Sequence, residues 1–203
     1  EEYEYEYELM VAASNGEVDR VGQLLQRGTD PRCRDAKGRP ALQLAIRRNQ
    51  ASCALVLIQH IADIEARSGK EADGLPMLFW AVAKSAGTDT LCLQHLLTHG
   101  AAVDSSGAGS VTALMEACIT GHSEAAKLLC SYGASRRKRN DDGYPSWWFA
   151  RVNGHRELSD WIKSTAEWCT PLHYLEQLTV QRTATQLEAG ASPHARSENM
   201  SAE

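Results

Sequence analysis

Residues 112–135 read TALMEACITGHSEAAKLLCSYGAS, two apolar runs of helical length parted by Gly121-His122 and closed by Gly133-Ala134. Leu114 opens the first run, Ala117 follows three residues later, and Leu129 stands fifteen after the opener. The same offsets recur along the chain. The openers are Leu9, Leu42, Leu78, Leu114, Trp147 and Leu172, at spacings of 33, 36, 36, 33 and 25 residues. Three residues after each stand Ala12, Ala45, Ala81, Ala117 and Ala150, with Leu175 in the sixth unit. Leu24, Leu57, Leu129, Ile162 and Leu187 supply the second anchor, and a three-residue insertion around Ala86 delays Leu96 in the third unit. A fixed period of this size is the mark of a repeat array.

Glycines punctuate the period. Gly16, Gly121 and Gly154 part the two helical runs, Gly28, Gly100 and Gly133 close the second, and Gly38, Gly74 and Gly143 stand four residues before an opener. The first two sets suit helix ends, where positive φ satisfies orphan carbonyls. The third suits the tight turn of a connecting loop. Each unit is therefore a turn, a helix, a short loop and a helix. Neither helix would persist alone, because isolated helices below about 12 to 15 residues are marginal in water. Stacking of neighbouring units has to supply the stability.

The composition fits a soluble class. The chain has 203 residues, a net charge of -5 and 43% hydrophobic residues. No apolar stretch approaches the roughly 20 residues of a membrane helix. The acidic first residues lead into no long apolar region, so neither a secretory signal nor a transit peptide is read. An intracellular location, cytoplasmic or nuclear, is the expectation. Cys33, Cys53, Cys92, Cys118, Cys130 and Cys169 form no C-x-x-C pair and have no nearby paired histidines to complete a zinc site. They read as buried, reduced thiols behaving as small hydrophobes.

With the period established, the chain resembles the ankyrin-repeat proteins, whose units of about 33 residues carry a T-P-L-H-x-A pattern. Thr112 to Ala117 (TALMEA) followed by Gly121-His122, and Thr170 to His173 (TPLH), are the nearest local matches. The resemblance implies an all-α solenoid of stacked helix-turn-helix units with short hairpin fingers, the inner helices and fingers lining one concave face. It places a single array over residues 1–203, with units near 5–34, 35–66, 71–104, 107–137, 140–165 and 168–195. The first and last are irregular caps. It also implies structural roles for His122, His155 and His173, which would hydrogen-bond neighbouring backbone or a threonine hydroxyl.

Departures from the pattern carry their own expectations. The leader EEYEYEYE stands where a turn and glycine would precede Leu9, and its acidic residues favour a helix N-terminus; its Tyr-Glu alternation reads as a frayed, solvated segment, with tyrosine phosphorylation or strand addition as alternative uses. Ile61 holds a slot that elsewhere ends a helix with glycine, and a β-branched residue resists positive φ, so altered geometry is expected after His60. Insertions near residues 68–71 and 85–89 read first as solvent loops and second as binding loops. Only ten residues separate Ile162 from Leu172, so the last finger is largely deleted. Trp147, Phe149 and Trp161 fall on core slots, whereas Trp148 and Trp168 are placed to rim an apolar patch.

No catalytic set is visible: there is no phosphate-cradling glycine loop, no G-x-S-x-G and no H-E-x-x-H. A non-enzyme without cofactor or metal is expected. The basic run Arg136, Arg137, Lys138 and Arg139 reads first as a solvated loop, and otherwise as an anchor for an acidic partner or an import signal. Nucleic acid is disfavoured by the overall negative charge and the lack of an aromatic-interleaved motif. In the family the finger tips and inner-helix ends vary with the partner. Those positions here include Arg39, Arg47, Arg48, Leu75, Lys84, Val111, Ile119, Tyr144, Val152 and Asn153. The functional expectation is a monomeric interaction scaffold or adaptor that binds a protein partner and no membrane. A stoichiometric enzyme inhibitor is the alternative, as is a ubiquitin-ligase substrate adaptor if the chain is truncated.

Overall fold

The computed structural model describes residues 2–61, 75–85 and 89–165. Leu172, Leu175, Leu187, Trp168, Cys169, the TPLH stretch, Gly74, and the insertions near residues 68–71 and around Ala86 lie outside them. The described residues form ten α-helices: α1 Glu2–Asn15, α2 Val18–Gln26, α3 Ala41–Arg47, α4 Ala51–His60, α5 Met77–Lys84, α6 Leu91–Thr98, α7 Ala113–Thr120, α8 Ser123–Ser131, α9 Ser146–Val152 and α10 Arg156–Ser164. No strand is present among the described residues; the only β pairing in them is isolated bridges.

The odd-numbered helices pack in sequence, α1 on α3, α3 on α5, α5 on α7 and α7 on α9. Each also packs on the even-numbered helix that follows it, and α2, α4 and α6 make a second row. The architecture is an all-α repeat solenoid. The seam hides the periodic residues: Leu9, Leu42, Leu78 and Leu114 are buried, as are Ala12, Ala45, Ala81, Ala117 and Ala150. Leu24, Leu57, Leu96, Leu129 and Ile162 complete the core from the outer row. Trp147 is half-buried, its outer face covered by the Lys163 ammonium 4.0 Å from the ring centre.

Loops between paired helices interlock from unit to unit. Gly121 ends α7 at φ 73°, and a Cβ there would overlap the His155 imidazole of the next unit. Gly16 stands in the same relation to Gln50. In the second unit Asn49 takes the glycine's place at φ 55° and its Nδ2 donates to Asp89 Oδ2 at 2.8 Å. His122 Nε2 lies 3.2 Å from both the carbonyl and the hydroxyl of Ser85. Gln50, His122 and His155, which cap their second helices, and Asp89, one residue before a cap, thus rest on the preceding unit's helix end.

Two expectations are corrected. The leader is not a frayed segment: from Glu2 onward it is helical and continuous with the first inner helix. Acidic residues at a helix N-terminus are favoured by its dipole, Glu8 pairs with Arg20 of α2, and Cys33 Sγ donates to the Glu6 carbonyl at 3.7 Å. Trp147, Phe149 and Trp161 pack against the core as half-buried residues, and Phe149 also meets Tyr144 and Trp148 edge to face. The basic run is not a uniformly solvated loop either, as described below. Ile61 behaves as expected of a β-branched residue, capping α4 with extended backbone at φ -97° and ψ 110°.

Candidate functional site

The fingers are built by short polar side chains at their bases. Asp35 Oδ1 accepts the backbone N–H of Lys37 and of Arg39, both at 2.9 Å, and Asp35 N donates to the Arg39 carbonyl at 2.9 Å. Asn140 repeats the arrangement, accepting Tyr144 N at 2.7 Å and donating its own N–H to the Tyr144 carbonyl at 3.0 Å. In the finger between them Gly107 N donates to the Val111 carbonyl at 3.2 Å. Isolated bridges Arg34 to Pro40, Ser106 to Thr112 and Arg139 to Pro145 close the hairpins. Arg39, Val111 and Tyr144 therefore occupy one repeated finger position, three residues before the opener. Leu75 shares that position and is half-buried ahead of Pro76.

The second set lies at the ends of the inner helices. Arg47 and Arg48 end α3, Lys84 ends α5, Ile119 lies near the end of α7, and Val152 and Asn153 end α9. Arg47 lays its guanidinium 3.7 Å from the centre of the Trp80 ring, and the Lys84 ammonium stands 5.8 Å from the same centre. Such cation–π contacts contribute about 0.5 to 1 kcal/mol at exposed sites and fix where the charges point. Arg48 and Lys84 are exposed, and Val152 is exposed by 62%. Ile119 is half-buried, and Asn153 Nδ2 donates to the Phe149 carbonyl at 2.8 Å.

This face changes character along the stack. Toward the first units Arg39, Arg47, Arg48 and Lys84 border a cleft of about 490 Å³, floored by Met10, Val11 and Leu44. Toward the last, Tyr144 stacks on Trp148 at 4.0 Å with 16° between planes, near Phe149. Between the two, the half-buried Glu116 has its carboxyl raised by burial, which the Lys84 charge opposes. Burial also works against the Asp35 carboxylate, but the hydrogen bonds and charge of Arg39 and the loop N–H groups prevail, leaving it below the usual range.

The basic run is divided by the fold. Arg136 is buried and hydrogen-bonds Cys130, Lys138 Nζ donates to the Asp104 carbonyl at 2.6 Å, and Arg139 Nη1 donates to the Gly143 carbonyl at 2.7 Å. Arg137 and Arg139 are exposed. Four consecutive cations do not make one patch, because three of them tie the finger to its own turn and to the preceding unit. Cys33, Cys53, Cys92, Cys118 and Cys130 are free and buried. Burial pushes Cys33, Cys92 and Cys130 up to about 11, and Cys53 and Cys118 upward as well. Among the described residues no group of three or more His, Cys, Asp or Glu is placed to hold a metal, and no helix is long and apolar enough to cross a membrane.

The family model described as Ankyrin repeats (3 copies) matches residues 9–106 and again 78–174. The chain belongs to the ankyrin-repeat family. Ankyrin repeats are protein–protein interaction modules. No curated protein matches the chain.

Three residues of this ankyrin array escape a reading confined to the family's variable slots: Leu44, Trp80 and Glu116. All lie two residues after an opener, in register with Val11 and Phe149. The signal was present in the sequence. Val11, Leu44, Trp80, Glu116 and Phe149 differ in size and polarity, whereas the alanines one residue further along do not vary. A slot that varies between units is not held to one residue size by the seam.

Proposed function

We propose that this ankyrin-repeat chain is a non-catalytic intracellular adaptor or scaffold that binds a partner protein as a monomer, through the inner-helix ends and the fingers. The observation that supports it most is the separation of the periodic residues into two classes. Leu9, Leu42, Leu78, Leu114 and the alanines of the described units are buried in the seam, while Arg39, Arg48, Lys84, Tyr144, Val152 and Asn153 stand in the finger and inner-helix-end slots with their side chains partly or fully exposed. The rigid stack presents these side chains with little ordering still to be done, which lowers the cost of association. Arginine and tyrosine are enriched at binding hot spots, where truncation costs about 2 kcal/mol or more.

The test is simultaneous replacement of Arg47, Arg48, Leu75 and Tyr144 by alanine, followed by affinity capture and mass spectrometry. The expected result is an unchanged circular dichroism spectrum together with loss of the proteins captured by the parent chain. Retention of all of them by the folded variant would remove this face from the function.

A further inference from the structure

The cleft between the first three inner helices selects a particular chemistry. It is bordered by Arg39, Arg47, Arg48 and Lys84 and, among the described residues, by one carboxylate, Asp35, which Arg39 engages through Nε at 2.7 Å. This concentration of positive charge stands on a chain whose net charge is -5. Trp80 organises it, with Arg47 at 3.7 Å and Lys84 at 5.8 Å from one ring. Two cations from successive units are thereby held at the cleft instead of being spread by mutual repulsion. Its floor is apolar, and its volume of about 490 Å³ lies within the range of clefts that enclose a ligand, roughly 300 to 1,000 Å³.

We propose that this cleft is the docking point for a short acidic segment of a partner protein, in which aspartate or glutamate carboxylates meet Arg48 and Lys84 and an apolar side chain enters over Leu44 and Val11. The inference rests on the protein-binding reading above and adds the class of peptide. Guanidinium groups take carboxylates through paired, charge-assisted hydrogen bonds. Side chains alternating between charge and apolar bulk match a cleft with a cationic rim and an apolar floor. A nucleic acid fits less well. The face of Trp80 on which a base would stack is covered by Arg47.

The experiment is selection of a random peptide library against the immobilised full chain, followed by fluorescence anisotropy of the enriched peptides. The expected result is enrichment of aspartate- and glutamate-rich sequences. Their affinity should fall by about tenfold or more in Arg48→Glu and in Lys84→Glu, two exposed positions that leave the core intact. It should also weaken as salt shortens the screening length, and hold in Arg137→Glu, a charge reversal of similar exposure elsewhere. Enriched peptides that are neutral or basic and depend on Tyr144 or Val111 would overturn the acidic-segment proposal and leave the protein-binding reading standing. Enrichment of no peptide at all would count against both. Equal losses in Arg48→Glu and Arg137→Glu would show mere attraction to a cation and sink the site. So would tighter binding of a single-stranded RNA oligonucleotide at the same cleft, or a dimer of the chain itself that Arg48→Glu dissociates.

Discussion

Replacement of Gly121 by alanine isolates the contact on which stacking of the last units depends. Gly121 sits at φ 73°, and its missing side chain makes room for the His155 imidazole. Gly154 provides the control, since it has φ 86° and nothing within 4 Å of an added Cβ. Gly154→Ala therefore carries the left-handed backbone term alone, about 1 to 2 kcal/mol. Gly121→Ala carries the same term plus overpacking against the ring, about 1 to 3 kcal/mol more. The total is about 2 to 5 kcal/mol. In a repeat array it falls on one interface, so α9 and α10 should detach first. Urea unfolding followed by tryptophan fluorescence reads this directly, because Trp147, Trp148 and Trp161 lie in those two helices. Adding His155→Ala to Gly121→Ala should recover most of the excess, a coupling of about 1 to 3 kcal/mol in the double-mutant cycle. Equal midpoints for Gly121→Ala and Gly154→Ala, or no coupling to His155, would refute the interlocked-loop reasoning.

Other consequences are as direct. Ala81→Leu, in the seam where α5 meets α3 and α7, should lower stability by about 1 to 3 kcal/mol; an unchanged urea midpoint would mean that the seam has room to spare. The five buried thiols should resist iodoacetamide in the native chain at pH 8 and react once it is unfolded, as counted by mass spectrometry. Their native pKa values are raised, so the unfolded chain releases its protons first, and stability should decline as pH climbs from about 8.5 toward about 11. Asp35 has the opposite sign: its lowered pKa makes its contribution present above about 3.8 and lost as pH falls through the folded value. Asp35→Asn should keep the finger turn, as Asn140 does in the equivalent finger, and abolish that acid sensitivity, whereas Asp35→Ala should lose both; a pH titration of the unfolding midpoint separates them.

The repeat was legible because burial in the seam imposes one residue size per slot. Alanine at 12, 45, 81, 117 and 150 reports how closely neighbouring helices approach, and the helix-ending glycines report the sign of φ. The leader was misread because the Tyr-Glu alternation suggests a period of two, while the contacts that hold it helical, Glu8 with Arg20 and the Glu6 carbonyl with Cys33, come from residues far along the chain. The basic run misled in a similar way. Composition shows four adjacent cations, but only the fold shows that Arg136 turns inward to Cys130 and Lys138 reaches Asp104. The finger and helix-end slots could be named from the period. That Arg47 and Lys84 share Trp80 could not, because the pairing crosses from one unit to the next and is not encoded in either alone.

The central claim is that short helix pairs stand side by side in chain order, each stabilised by its neighbours. Methyl–methyl nuclear Overhauser effects test it most directly. Leu42, Ala45 and Ile46 of α3 should connect to Leu78, Ala81 and Val82 of α5, and those in turn to Leu114 and Ala117 of α7. Cross-peaks joining α3 directly to α7, with none to α5, would contradict the stack.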